Sequence, residues 1–106
     1  MRPLDVSKLK FDSNGLVPVI TQSAETNEVL MLAYATKETL EETLSLGKMV
    51  YFSRSRNRRW LKGDTSGNFQ EVVSLSMDCD GDTVLARVTT AGPACHNGTT
   101  SCFEED

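Results

Sequence analysis

A chain of 106 residues, 39% hydrophobic and 25% charged, is long enough for one domain with a modest core. Its formal charge of -4 argues against a nucleic-acid-binding surface, and no apolar run approaches the roughly 20 residues of a membrane span. No signal-peptide core follows Met1-Arg2-Pro3-Leu4-Asp5, and three cysteines do not pair off into a disulfide framework, so a cytoplasmic protein with free, catalytic or metal-bound thiols is expected.

Residues 1–10 carry no clear pattern and read as a packed arm. Asn14-Gly15 signals a turn. Leu16 to Ile20 is a short β-rich run in which Pro18 suggests an edge strand or a bulge. Ser23 to Asn27 reads as a hairpin loop, and Val29 to Tyr34, continuously apolar without a helical period, as a buried strand paired with the first run. Thr36 has the character of an N-cap, and Gly47 that of a stop. Between them Lys37 to Leu46 reads as a short amphipathic helix with Leu40 and Leu44 on one face. Met49 to Ser53 is a further strand.

The polar, basic stretch from Ser53 to Gly67 offers little to a core. Glu71 to Met77 returns to strand character with Val73, Leu75 and Met77 on one face. Asp80-Gly81-Asp82 turns the chain into a return strand, Thr83 to Thr89, with Val84, Ala86 and Val88 on one face. Nothing is periodic after Ala91. The expected fold class is α+β, predominantly β: a mostly antiparallel sheet or half-barrel with one or two short helices, forming a single domain over residues 1–106.

The chemistry concentrates between Asp78 and Cys102, which holds all three cysteines, the only histidine and three closely spaced aspartates. Soft thiolates select zinc, whereas hard carboxylates select magnesium, calcium or manganese, so two metal sites of different character are expected side by side. The available soft ligands are Cys79, Cys95, Cys102 and His96, at wide spacings and without a CxxC knuckle. Small buried hydrophobes are the plain alternative. Against it, Cys95 and Cys102 lie in a loop of Gly, Asn and Thr, and Cys79 stands between two aspartates. Three thiolates would leave the fourth position of zinc open to water, whereas a bound His96 would close the site.

Asp78, Asp80 and Asp82 alternate, so in an extended chain their carboxylates point one way and repel unless a cation sits among them. A solvated Asp-rich turn is the alternative. A calcium loop counted from Asp78 would need Gly and Glu where Thr83 and Thr89 stand, and is excluded. Further upstream, Arg54, Arg56, Arg58, Arg59 and Lys62 supply five of the eleven basic residues. Trp60 lies among them, and Gly63-Asp64-Thr65-Ser66-Gly67 follows. Guanidinium forks and a Gly/Thr/Ser turn suit phosphate oxygens, which favours a small phosphorylated ligand over a merely solvated loop.

These stretches together resemble the phosphoribosyl-AMP cyclohydrolase family of histidine biosynthesis. The matching runs are Phe11 to Pro18, Glu28 to Tyr34, Ser53 to Arg56, Trp60 to Gly67, Asp78 to Asp82, Gly92 to His96 and Ser101 to Phe103. The resemblance spans nearly the whole chain. It implies a stand-alone hydrolase that opens the adenine ring of phosphoribosyl-AMP between N1 and C6. It implies Zn2+ held by Cys79 of one subunit with Cys95 and Cys102 of its partner, Mg2+ held by Asp78, Asp80 and Asp82, and an intertwined homodimer. A second pyrophosphohydrolase domain, fused in some relatives, is not expected.

In such an enzyme zinc-bound water ionises near neutral pH, and His96 is the natural proton carrier. The substrate contacts expected are Arg54, Arg56, Trp60, Lys62, Gly63, Thr65, Ser66, Gly67 and Asn68. Asn68 stands where the family often has histidine, which removes a proton-transfer role from that position. Two other classes remain readable in the residues alone: a structural zinc module with four protein ligands, and a small phosphate- or nucleotide-binding module indifferent to zinc.

Overall fold

The structure is a computed structural model and describes residues 2–95 and 98–104. It is predominantly β with a single α-helix among the described residues. Strands β1 (Val17–Ser23), β2 (Val29–Ala35), β5 (Gln70–Met77) and β6 (Val84–Thr90) form one sheet in the order β2-β1-β6-β5, and β3 (Val50–Ser53) pairs with β4 (Arg58–Leu61) in a second. All pairings are antiparallel except β1 with β6, which run parallel from Val19↔Val84 to Ser23↔Val88. The sheet does not close into a barrel.

The helix α1 spans Lys37–Leu46, as its terminal signals predict. Thr36 and Thr39 satisfy each other's backbone N–H groups as a capping box, and Gly47 adopts the left-handed conformation that ends the helix. The inward face is Thr39, Leu40 and Thr43, whereas Leu44 is 57% exposed, contrary to its expected place beside Leu40. Thr43 is inward because its hydroxyl accepts from Val50 N and returns a bond to Thr39 O, fastening α1 to β3.

Pro18 also departs from expectation, since β1 is an interior strand rather than an edge. The parallel pairing begins one residue later, at Val19, so the proline's missing N–H interrupts no bond to β6. The irregularity in β1 falls instead between Thr21 and Gln22. In β5 a shift between Val72 and Ser74 turns Val73 out to 57% exposure and breaks the expected Val73–Leu75–Met77 face. In β6, Val84, Ala86 and Val88 share one face as expected, and that face is fully buried. The N-terminal arm covers the outer edge of β5: Leu4 donates to Leu75 O, and Met77 donates to Arg2 O.

The core lies between the large sheet and the α1–β3 layer, with Val17, Val19, Leu30, Leu40, Met49 and Tyr51 at its centre. A chain of polar groups crosses it. The Tyr51 hydroxyl donates to Gln70 Oε1 at 2.6 Å, which leaves Thr21 Oγ1 as the donor to Tyr51 at 2.7 Å. Gln70 Nε2 in turn reaches Met31 Sδ at 3.4 Å. These bonds pin β3 onto β1 and β5, and so fix where the β3–β4 hairpin stands.

Candidate functional site

The hairpin carries the basic segment, and its position sets one wall of a cleft of about 680 Å³. Arg56, Trp60, Lys62, Gly63, Thr65, Ser66 and Asn68 line it, together with Ser53, Ser55 and Arg58. Most of the expected substrate contacts are therefore gathered in one place. Arg54 and Gly67 do not line the cleft. The Arg54 guanidinium stacks 3.9 Å from the centroid of the Tyr34 ring on β2.

The second wall is the loop that follows β6, through Pro93, Cys95 and Gly98. Ala94 N–H donates to Thr100 O and Cys95 N–H to Thr99 O, so the loop folds back on itself as a small hairpin. Ser101 Oγ donates to Val29 O at 2.6 Å, and Cys102 N–H to Leu30 O at 2.7 Å, which ties the loop to the start of β2. Cys95 and Cys102 meet there: burial pushes the Cys102 thiol above its ordinary range, and a hydrogen bond involving Cys95 raises it further. His96 lies outside the described residues.

Gly92 permits the close approach of the two walls, and Gly63 the tight fold of the first wall on itself. A Cβ on Gly92 would come within 2.2 Å of Asn68 Oδ1, and a Cβ on Gly63 within 2.5 Å of Phe69 N. Asn68 thus packs directly on the glycine that opens the cysteine loop. Lys62 has a burial that its place in the sequence does not show. It sits at the end of a basic run, yet it is only 7% exposed, with Nζ donating to Ala94 O at 2.7 Å. Burial lowers its pKa, and the Cys102 and Cys95 side chains act in the opposite sense.

Cys79 is not part of this cleft. It is exposed in the turn between β5 and β6, flanked by Asp78 and Asp80, and lines a separate cleft of about 940 Å³ beside the N-terminal arm and Leu44. Among the described residues, the only group of three or more His, Cys, Asp or Glu side chains with converging ligand atoms is Asp78, Asp80 and Asp82, within 4.8 Å of one another. Asp78 Oδ1 accepts from Asp82 N and Thr83 N, which shapes the turn. Hydrogen bonding with Asp78 and Asp80 raises the Asp82 carboxyl above its usual range.

This cluster of hard oxygens fits a magnesium-like ion. Cys95 and Cys102 fit two positions of a soft-metal site, and the third cysteine of the chain, Cys79, stands at the opposite corner of the sheet.

A family model described as phosphoribosyl-AMP cyclohydrolase matches residues 31–104. The chain is 59% identical over 93 residues to the phosphoribosyl-AMP cyclohydrolase of Salinibacter ruber, covering 88% of this chain and 73% of the relative. It is 49% identical over 106 residues to the protein of the same name in Streptomyces coelicolor, covering 100% and 83%. It is also 57% identical over 98 residues to the histidine biosynthesis bifunctional protein HisIE of Thermoanaerobacter pseudethanolicus, covering 92% of this chain and 45% of the relative. The chain spans about half the length of the bifunctional relatives it matches.

Proposed function

The chain belongs to the phosphoribosyl-AMP cyclohydrolase family, and from that premise we propose that it hydrolyses the N1–C6 bond of the adenine ring of phosphoribosyl-AMP, a step of histidine biosynthesis. The observation that carries the reading is the cleft itself. Its basic, hydroxyl-rich wall faces Cys95, which is hydrogen-bonded with Cys102, and a phosphorylated nucleotide opened at a soft metal requires such a combination.

Arg56 and Arg58, with the hydroxyls of Ser53, Ser55, Thr65 and Ser66, bind phosphate oxygens. The Trp60 ring gives the base an apolar surface, and Asn68 donates or accepts at the substrate's polar edge. Cys95 and Cys102 of one copy, with Cys79 of a second, hold Zn2+. Asp78, Asp80 and Asp82 hold Mg2+. The exposed Leu44 beside Cys79 supports a second copy docking there. When bound, zinc supplies a Lewis acid that lets a water ionise near neutral pH. His96, next to Cys95, accepts the proton of the water that attacks C6 and delivers one to N1 as the ring bond breaks. The product is the open formimino-aminoimidazole carboxamide ribotide.

Metal analysis of the purified protein joined to a turnover assay on phosphoribosyl-AMP tests this. Zinc stoichiometric with the chain is expected, with turnover abolished by a chelator while the β signal of the fold persists. Full turnover after complete zinc removal would overturn the mechanism. Tight nucleotide binding with no turnover in either state would leave a binding module.

A further inference from the structure

Lysine is almost never fully buried unless its charge is matched. Lys62 is 7% exposed, its ammonium lies 5.1 Å from the Trp60 ring centroid, and its hydrogen bond to Ala94 O joins β4 to the cysteine loop. The ion pairs among the described residues are Lys8–Asp5 and Arg59–Glu42, so no described carboxylate stands within ion-pair distance of Lys62. A neutral carbonyl occupies one donor and balances no charge. The Ala94 carbonyl that Lys62 bonds stands immediately before Cys95, and the Cys102 and Cys95 side chains, once ionised, favour the charged ammonium. Exposed Arg56 and Arg58, by contrast, remain available in the cleft for phosphate.

We propose that Lys62 is a positioning residue for the metal rather than a substrate ligand: it holds the Cys95–Cys102 loop through Ala94 and stands as the buried counter-charge of its two thiolates. The proposal rests on the reading of Cys95 and Cys102 as zinc ligands. Three thiolates on one divalent ion leave a net negative charge, and an ammonium fixed beside them would stabilise that state. The same bond pre-orders the loop before metal arrives.

The test uses Lys62→Met, which keeps the apolar stem, and Lys62→Arg, which keeps the charge. Zinc affinity is measured by chelator competition, and amide exchange is followed in the metal-stripped protein. Lys62→Met should weaken zinc binding by about 10–100-fold, the range typical of groups that support metal ligands. It should also speed exchange of the Ala94 and Cys95 amides while those of β1 and β6 stay at native rates, which shows that the fold is kept. Lys62→Arg should recover part of the zinc affinity, and KM for phosphoribosyl-AMP at saturating zinc should barely move in either variant.

Unchanged zinc affinity together with a raised KM would overturn the proposal and make Lys62 a phosphate ligand. Cys95→Ser with undiminished zinc affinity would refute the zinc reading itself. Exchange at Ala94 would then decide the tether alone, with native rates in Lys62→Met overturning it.

Discussion

The sharpest consequence of the proposed shared zinc site lies in mixing subunits. Cys102 is hydrogen-bonded to Leu30 on β2, and Cys79 is in the turn joining β5 to β6. Strands β2 and β6 are two steps apart in the sheet, roughly 10 Å at strand spacing. Along the strands, Leu30 lies three residues from Ala33, which is level with Val19 and Val84, a further roughly 10 Å. Leu30, which holds Cys102, and Val84, which follows the turn of Cys79, are thus about 14 Å apart at the backbone, whereas thiolates on one zinc must each lie about 2.3 Å from it. A Cys79→Ala homodimer and a Cys102→Ala homodimer should each be inactive. Co-expressed with distinct tags, they form a mixed dimer that regains one intact site, so the random mixture should show about a quarter of native turnover for a two-fold dimer. The converse control mixes native chains with the Cys79→Ala/Cys102→Ala double variant in equal amounts. Sites shared between subunits leave the mixed dimer dead and about a quarter of full activity, whereas sites within one chain leave about half. No recovery in the first mixture, with mixed dimers verified by their tags, would refute the shared site.

Asp80→Asn should weaken magnesium dependence while zinc content stays native, because Asp80 shapes no part of the turn by the backbone bonds that Asp78 makes; loss of both metals together would mean a single site. Tyr51→Phe leaves Gln70 Oε1 and Thr21 Oγ1 without their bonds in the core, so it should cost about 1–3 kcal/mol in denaturant titration, and an unchanged midpoint would count against the buried polar chain. Glu42→Gln tests a surface pair. The hydrogen bonds from Arg59 hold the Glu42 carboxyl below its ordinary range, so the stabilisation is present above the unfolded-state value and is lost as pH falls through the folded-state one. The small melting difference from the native protein should therefore close on acidification, and a gap that widens would reverse the sign.

The elements written into the sequence most plainly were those with local punctuation. Thr36 and Gly47 bound α1 on both sides because a cap hydroxyl and a left-handed glycine act within one turn of the chain. Strand β4 was not visible, since Arg58 and Arg59 are exposed and the strand is held by its ladder to β3 rather than by an apolar face. The parallel joining of β1 to β6 was equally hidden, because it depends on groups more than sixty residues apart in the chain. Period-two reading failed at Val73 for a local reason: one extra residue in a bulge inverts every later side chain. For the site, the ligand types were legible from softness and charge alone. The burial of Lys62 was not, because a lysine at the end of a basic run looks solvated until the loop that covers it is in place.

Position, in this small chain, comes from fastening irregular segments to regular ones. The cleft has a hairpin on one side and an aperiodic loop on the other, neither of which would hold its shape alone. Tyr51 roots the hairpin in the sheet through Thr21 and Gln70. Ser101 and Cys102 root the loop on the carbonyls of Val29 and Leu30, and Lys62 bonds the one wall to the other at Ala94. Each bond ends on backbone or on a buried side chain of an element already ordered by the core, so fixing the loop costs less conformational entropy than ordering a free segment would. The Asp78–Asp82 turn is rooted in the same sheet, at its far corner, where Lys10 N–H donates to Gly81 O. One sheet thus presents a thiol pair at one corner and a lone thiol with three carboxylates at another. Two-fold pairing of such sheets would bring unlike corners together and complete both sites at once.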